Sequence, residues 1–244
     1  AGETTAGVAV ADAYGARADS GITSNNDRLS GTALYALDFG ADVYLVADNR
    51  QQLFLVAGDA DNMSGQRLTT IDRTRSTGEL TFADTPATKI SDDPAVLRAV
   101  LDAGRVMLAA DTLGAAQNML DQAVEYAKQR EQFNRPIGSF QAVKHMCAEM
   151  AAGLEPCRAM VWYAAHALDN LPDEATLTAC HTKAHLSEVG KFIAKTSTEV
   201  HGGMGFTDLV GLHFWFKRIG FNRQLLGAPE LLREEAARVQ QLVA

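Results

Sequence analysis

The sequence has few cysteines and no long apolar run, and each shortage excludes classes of protein. Three cysteines form no Cys-x-x-Cys pair, so the pattern predicts neither a disulfide framework nor a thiolate zinc site. They fall in helix-like sequence and are predicted to be buried core residues in a reducing compartment: Cys147, Cys157 and Cys180. No apolar run approaches the roughly 18 residues that span a bilayer, which argues against a membrane partner.

Basic residues are also in short supply. Lysine and arginine number 22 against 30 aspartates and glutamates, a net charge of −8, which argues against nucleic acid as a partner. The 47% hydrophobic and 21% charged content is typical of a folded globular protein. The N-terminus lacks the basic-then-apolar order of a signal peptide, so a cytoplasmic location is expected. It also lacks a methionine, so a missing N-terminal piece has to be considered.

The periodicity of the sequence changes near residue 91. Before it, short β-rich runs at 43–46, 53–56 and 79–82 are separated by Gly, Asp, Asn and Ser clusters, which predicts a small antiparallel sheet or barrel. An Asp-Asn pair at 48–49 predicts a hairpin turn between the first two runs.

After residue 91 the apolar residues recur at helical spacing. Ser-Asp-Asp-Pro at 91–94 is a typical helix start. Helices are expected at about 94–130, 139–168, 172–201 and 209–226, with a short last one from 229 and with Pro156 bending or splitting the second. The predicted fold is therefore α+β: an antiparallel β domain at 1–91, then an up-and-down four-helix bundle at 92–244.

Two segments have the residue types that bind a phosphorylated cofactor. In REQFNRPIGSFQ (130–141), an arginine ends one helix and a glutamine opens the next; arginine binds pyrophosphate well, although ordinary helix-end chemistry would also explain it. In EVHGGMGFT (199–207), three glycines in four residues leave bare backbone, where one would suffice for a helix cap.

Together these segments resemble the acyl-CoA dehydrogenase family. REQFNRPIGSFQAVKHMCAEMAAG is similar to one motif of its bundle domain and HGGMGFT to a second, and the order of a β domain followed by a four-helix domain also matches. The resemblance implies FAD and α,β-dehydrogenation of an acyl-CoA. It implies that Arg130, Phe133 and Gln141 contact the pyrophosphate and adenine half of an FAD held mainly by a neighbouring subunit, and that Gly202 and Gly203 offer backbone to the same flavin.

The sequence departs from the family at the general base. Family members carry a glutamate either before a Gly-Thr pair late in the fourth helix or on the first bundle helix; these positions correspond to Leu226 and Gly104. Neither residue can accept a proton, so no catalytic residue is predicted in this chain. Asp102 and Asp111 lie nearby and are interpreted as solvated helix-surface acids. Glu199 also replaces a usual glutamine, which puts that flavin contact in doubt.

The β domain departs from the family as well. The stretches that should surround the isoalloxazine, at about 9–15 and 34–38, have lost the family motifs, while the end of the domain keeps its resemblance. The chain thus keeps the residues that a subunit donates to its neighbour's FAD site and lacks those needed to hold its own flavin ring. The hypothesis is a subunit of a heteromeric enzyme, similar to the actinobacterial α2β2 acyl-CoA dehydrogenases that shorten steroid (cholesterol) side chains. The implied partners are a homologous catalytic subunit in a heterotetramer, an acyl-CoA, and an electron-transfer flavoprotein or similar acceptor.

Two alternatives stay open: a self-sufficient homomeric dehydrogenase with an atypical base, and a non-enzymatic scaffold of the same fold. His181 and His185 share a helix face but lack a third ligand, so they are interpreted as ordinary helix residues and no metal is predicted. His201 is expected either to touch the flavin or to cap its helix. The 213–216 aromatic stretch is expected in the bundle core or at an oligomer contact, and Lys217-Arg218 is interpreted as solvated.

Overall fold

The computed structural model describes residues 2–14 and 20–243 of the chain. Two compact units are present, Ala1–Leu101 and Asp102–Ala244, so the division falls inside the first long helix. The predicted division between 91 and 92 instead marks the point where the last strand of the sheet gives way to that helix.

The first unit is an eight-stranded sheet. Its strands are β1 Ala6–Ala9, β2 Gly21–Asn25, β3 Arg28–Leu37, β4 Val43–Ala47, β5 Leu53–Ala57, β6 Met63–Arg67, β7 Thr77–Pro86 and β8 Thr88–Ser91. The order is β6-β7-β3-β1-β4-β5-β8, with β2 on β3, and no described strand closes this path into a barrel. The pairing is antiparallel as predicted except that β1 runs parallel to β4.

The hairpin predicted at 48–49 joins β4 to β5. The Asp48 carboxylate is buried and accepts hydrogen bonds from the backbone N–H groups of Arg50 and Gln52, both at 2.9 Å. One face of the sheet packs around a cluster that includes Ile22, Leu29, Tyr44, Phe54 and Leu80. Of the stretches that lack the family's flavin motifs, Gly15 lies outside the described residues.

The second unit is the predicted helical bundle. Its helices are α1 Pro94–Gln129, α2 Gln141–Asn170, α3 Pro172–His201, α4 Leu212–Gln224 and α5 Pro229–Val239. The helix α1 is capped by Asp93, which accepts a hydrogen bond from the Ala95 N–H at 2.9 Å. The helix α2 continues through Pro156 without being split.

The bundle core is built from small and medium apolar side chains on all four long helices. Met119, Met150, Leu154, Ile193 and Ile219 lie at its centre with several alanines. Cys157 and Cys180 are buried as predicted, and the half-buried Cys147 packs against the core; burial raises the pKa of the Cys147 and Cys157 thiols. In the described part of the chain, no helix is both long and apolar enough to cross a bilayer.

Candidate functional site

A tight hairpin at the C-terminal end of α1 presents the first motif. Glu131–Gln132 (β9) pairs with Arg135–Pro136 (β10), and the two residues between them, Phe133 and Asn134, have φ of +52° and +60°. These are the signs of a type I′ turn, in which a phenylalanine is strained by about 1 kcal/mol. The Ile137 N–H donates to the carbonyl oxygen of Arg130 at 2.7 Å and fixes the hairpin to the helix end.

An aromatic and cationic stack supports this hairpin. The Phe133 ring is 87% exposed and meets the Phe140 ring edge-on, with centroids 6.1 Å apart. The Arg135 guanidinium carbon lies 3.9 Å from the Phe140 centroid. Gln141, the first residue of α2, is exposed and its amide lies 3.5 Å from the imidazole of His145. The hairpin therefore offers an open aromatic face beside polar groups.

The two arginines of the hairpin are exposed. Within the described residues, the guanidinium groups of Arg130 and Arg135 form neither an ion pair nor a hydrogen bond, although the chain as a whole carries excess acid. Guanidinium groups with free N–H donors are suited to bind a phosphate or pyrophosphate in a bidentate manner.

The second motif forms a short 3-10 turn after α3. Gly202 has φ of +58°, and a Cβ built on Gly202 or Gly203 would meet nothing within 4 Å. A Cβ on Gly205 would instead lie 2.9 Å from the Thr198 carbonyl oxygen, so that glycine is required by packing. Gly202 and Gly203 are exposed and leave backbone open to another molecule.

A buried stacking contact brings the two motifs to the same end of the bundle. The His201 ring stacks on Tyr126 with centroids 4.6 Å apart, and its Nδ1 lies 2.8 Å from the Ser197 carbonyl oxygen. Tyr126 lies one turn before Arg130 on α1. Since His201 is only 3% exposed, it joins α3 to α1 and contacts a carbonyl oxygen in the last turn of its own helix rather than facing a ligand. Glu199 is exposed and pairs with Lys195 at 3.8 Å.

Gly104 and Leu226, the two positions that the sequence resemblance aligned with the family's base, lie in contact. A Cβ built on Gly104 would lie 2.4 Å from Leu226 Cδ1, so the leucine side chain occupies the space over the glycine. Leu226 is 5% exposed and has φ of +54°. These two residues, named here the Gly104–Leu226 lock, form a buried apolar contact between α1 and the segment after α4.

Arg105 lies fully buried beside this lock. Its Nε–H donates to the Leu226 carbonyl oxygen at 3.1 Å, and its other nitrogens donate to both carboxylate oxygens of Glu235 at 2.9 and 2.7 Å. Asp102, 3.2 Å from Arg105, also accepts a hydrogen bond from the Thr176 hydroxyl at 2.6 Å. Asp102 is 2% exposed, so its interpretation as a solvated surface acid is wrong: it is the counter-ion of a buried arginine.

Asp111 is also not a free surface acid. Its half-buried carboxylate accepts hydrogen bonds from Nε and Nη2 of Arg218, the shortest at 2.7 Å, and one from the Asn222 amide at 2.6 Å. The interpretation of Arg218 as merely solvated is wrong for the same reason. The pairing joins α1 to α4 and commits the carboxylate to a structural role.

Lys183 was missed by the sequence analysis. It is 1% exposed, and its ammonium donates to the Gly227 carbonyl oxygen at 2.7 Å. Burial, with the nearby charges of Arg105 and Arg223, lowers its pKa from 10.5 to about 7. Its burial could have been predicted from its position in the sequence. It lies three residues after Cys180 and three before Leu186, which places it on the buried face of α3.

The remaining candidates have ordinary environments. His181 and His185 are exposed, and the described residues contain no group of three side chains placed to hold a metal. Trp215 packs against the bundle core, while Phe214 and Phe216 are 46% and 43% exposed.

Comparison with known proteins adds a family and its relatives. Residues 94–241 match the model described as acyl-CoA dehydrogenase, C-terminal domain. The chain is 36% identical to acyl-CoA dehydrogenase IpdE2 of Mycobacterium tuberculosis, over 70% of this chain and 50% of that protein. It is 30% identical to IpdE2 of Mycolicibacterium smegmatis, over 82% and 58% respectively. The chain thus spans about half the length of these relatives.

A solved structure of the steroid ACAD Tcur3481-Tcur3483, in a variant form, is also similar. Its TM-score is 0.82 at 29% sequence identity, covering 96% of this chain and 67% of that one.

Proposed function

Because the chain belongs to the acyl-CoA dehydrogenase family, a membership that implies FAD as its cofactor, we propose that it is the cofactor-donating subunit of a two-subunit acyl-CoA dehydrogenase. In this proposal Arg130, Phe133, Gln141 and the Gly202–Gly203 backbone contact the pyrophosphate and adenine half of an FAD whose ring belongs to a homologous catalytic partner. The partner supplies the base, and electrons leave to an electron-transfer flavoprotein or a similar acceptor.

One contrast supports this proposal: the residues that the resemblance assigns to the donated half-site are exposed, while the two positions that it aligns with the base are apolar and in contact. Arg130 has free donors and the glycine turn has bare backbone, which suit a diphosphate. Leu226 and Gly104, which the resemblance aligns with the family's glutamate positions, pack against each other. The exposed and strained Phe133, close in sequence to Arg130, supports a binding role for this hairpin.

When bound, FAD would supply a hydride acceptor for the β carbon of the acyl-CoA, while a base on the partner subunit would take the α proton. This chain would bind and orient the nucleotide end of the cofactor only. The proposed substrate is the CoA thioester of a steroid side chain, supported by the similarity to the steroid ACAD named above. If the Gly104–Leu226 lock leaves this subunit without an acyl site of its own, the partner subunit can hold one larger acyl site.

The first test compares the flavin absorbance of the chain purified alone with that of a complex co-expressed with its homologous partner. We expect flavin in the complex only, at one flavin for each pair of unlike chains. A full equivalent of flavin on the chain alone would contradict donation and favour a self-sufficient enzyme. No flavin in any complex would favour the scaffold alternative.

The second test replaces Arg130. In the complex, Arg130→Ala should lower the flavin content, and Arg130→Lys should restore part of it because the charge returns without the planar fork. Arg238→Ala is the matched control, since Arg238 is an exposed arginine on α5 that pairs with Glu234. Unchanged flavin content in Arg130→Ala would refute the assignment of this residue.

A further inference from the structure

We propose that Arg135 is a second arginine of the same pyrophosphate site, held in place by the ring of Phe140; this inference rests on the proposed function. Arg135 and Arg130 flank one hairpin, separated by the turn that presents Phe133. The hairpin thus places two guanidinium groups and one exposed ring on a single short segment.

The contact with Phe140 pre-organises Arg135. With its carbon 3.9 Å from the ring centroid, the guanidinium lies at stacking distance. A stacked guanidinium covers one face and leaves its in-plane N–H groups for a ligand. An arginine already held in one orientation loses less conformational freedom when it binds. Phe140 is half-buried at the start of α2, so the support is rigid.

The charge balance of the hairpin also favours a second phosphate contact. A bound diphosphate ester carries two negative charges, and Arg130 neutralises one of them. The segment 130–141 holds two arginines and one acid, Glu131, within a chain of net charge −8. Within the described residues no carboxylate pairs with either arginine, so both guanidinium charges remain available. Arg135 supplies the second charge.

The test measures FAD binding to the flavin-depleted two-subunit complex, by quenching of flavin fluorescence at several salt concentrations. Arg135→Gln should weaken binding about tenfold to a hundredfold, as expected for a lost charge-assisted hydrogen bond. It should also flatten the dependence on salt, because one fewer ionic contact is made. Arg135→Lys should lose less, and Phe140→Leu should weaken binding mildly by releasing the guanidinium from its support.

Arg238→Gln is the matched control, because it makes the same charge change at an exposed site on α5. Circular dichroism and thermal melting confirm that each variant is folded. If Arg130→Ala loses FAD while Arg135→Gln binds it as tightly as the control, the inference is wrong and the proposed function stands. If the unaltered complex binds no FAD, the proposed function itself fails.

Discussion

Two parts of the same bundle differ in the burial and pairing of their basic side chains. At the hairpin, Arg130 and Arg135 are exposed and direct unused donors outward. At the lock, Arg105 and Lys183 are at most 1% exposed. Arg105 donates to the carbonyl oxygen of Leu226, and Lys183 donates to that of the next residue, Gly227. Buried charges without partners are costly, so the inner cations are fully committed to the fold. The outer pair is free for a ligand.

Backbone strain shows the same contrast. Phe133 and Leu226 are both bulky residues in the left-handed region, with φ of +52° and +54°. At Leu226 the strain is offset by burial of the side chain and by the hydrogen bond from Arg105. Phe133 is 87% exposed and gains no comparable compensation from the residues that the structure describes. Uncompensated strain is typical of a position whose side chain serves a binding partner.

The largest expected effect is at Arg105. Arg105→Leu should lower the free energy of unfolding by about 3–5 kcal/mol, because it removes the buried guanidinium that pairs with the buried Asp102 and with Glu235. Denaturant titration measures this loss. Arg238→Ala removes an exposed ion pair and should cost less than about 1 kcal/mol. A similar loss of unfolding free energy in both variants would contradict the contrast between the buried and the exposed arginines.

The next effect is a pH dependence from Lys183. Its folded-state pKa of about 7 lies below the ordinary value of 10.5, so between these pH values the unfolded chain holds a proton that the folded chain has released. The free energy of unfolding should therefore rise as pH increases through this window. Below the window both states hold the proton, so Lys183 adds no pH dependence there. The total rise is a few kcal/mol at most, at about 1.4 kcal/mol per pKa unit. Lys183→Met should flatten the rise in urea-denaturation experiments. An equally steep rise in the variant would assign the effect to other groups.

The lock itself predicts a smaller loss. Gly104→Ala should destabilise the chain by about 1–3 kcal/mol, since its new methyl group would lie 2.4 Å from Leu226 Cδ1. The same change in a Leu226→Ala background should cost much less. Gly114→Ala is the control on the same helix, where a Cβ meets nothing within 4 Å, and it should stabilise by about 0.5–1 kcal/mol. Equal effects at the two glycines would show that no lock exists.

The smallest expected effect separates stability from binding at the hairpin. Phe133→Asn should raise the free energy of unfolding by up to about 1 kcal/mol, because asparagine suits the first position of a type I′ turn. The same variant should lower the flavin content of the two-subunit complex. Thermal melting and flavin absorbance give the two readouts. A rise in stability with unchanged flavin content would remove Phe133 from the binding surface.

Local sequence determined the helices and the motifs. The switch from alternating to helical periodicity at 91–94, the capping Asp93 and the helix-opening Pro172 and Pro229 all act within a few residues, so they can be read from the chain alone. The two motif segments were recognisable because their residues, order and separation together resemble those of one family. Leu226 and Gly104 were identified as lacking a proton acceptor, which is a property of the side chains themselves.

Tertiary structure alone decided how distant residues pair. Asp102 and Asp111 look like surface acids in the sequence, yet each is held by a cation, in the case of Asp111 one lying 107 positions away. The contact between Gly104 and Leu226 and the burial of Lys183 likewise depend on how α1, α3 and the α4–α5 connection pack. Local periodicity carries no information about such long-range pairing, because it sets which face of a helix is buried and not what that face meets.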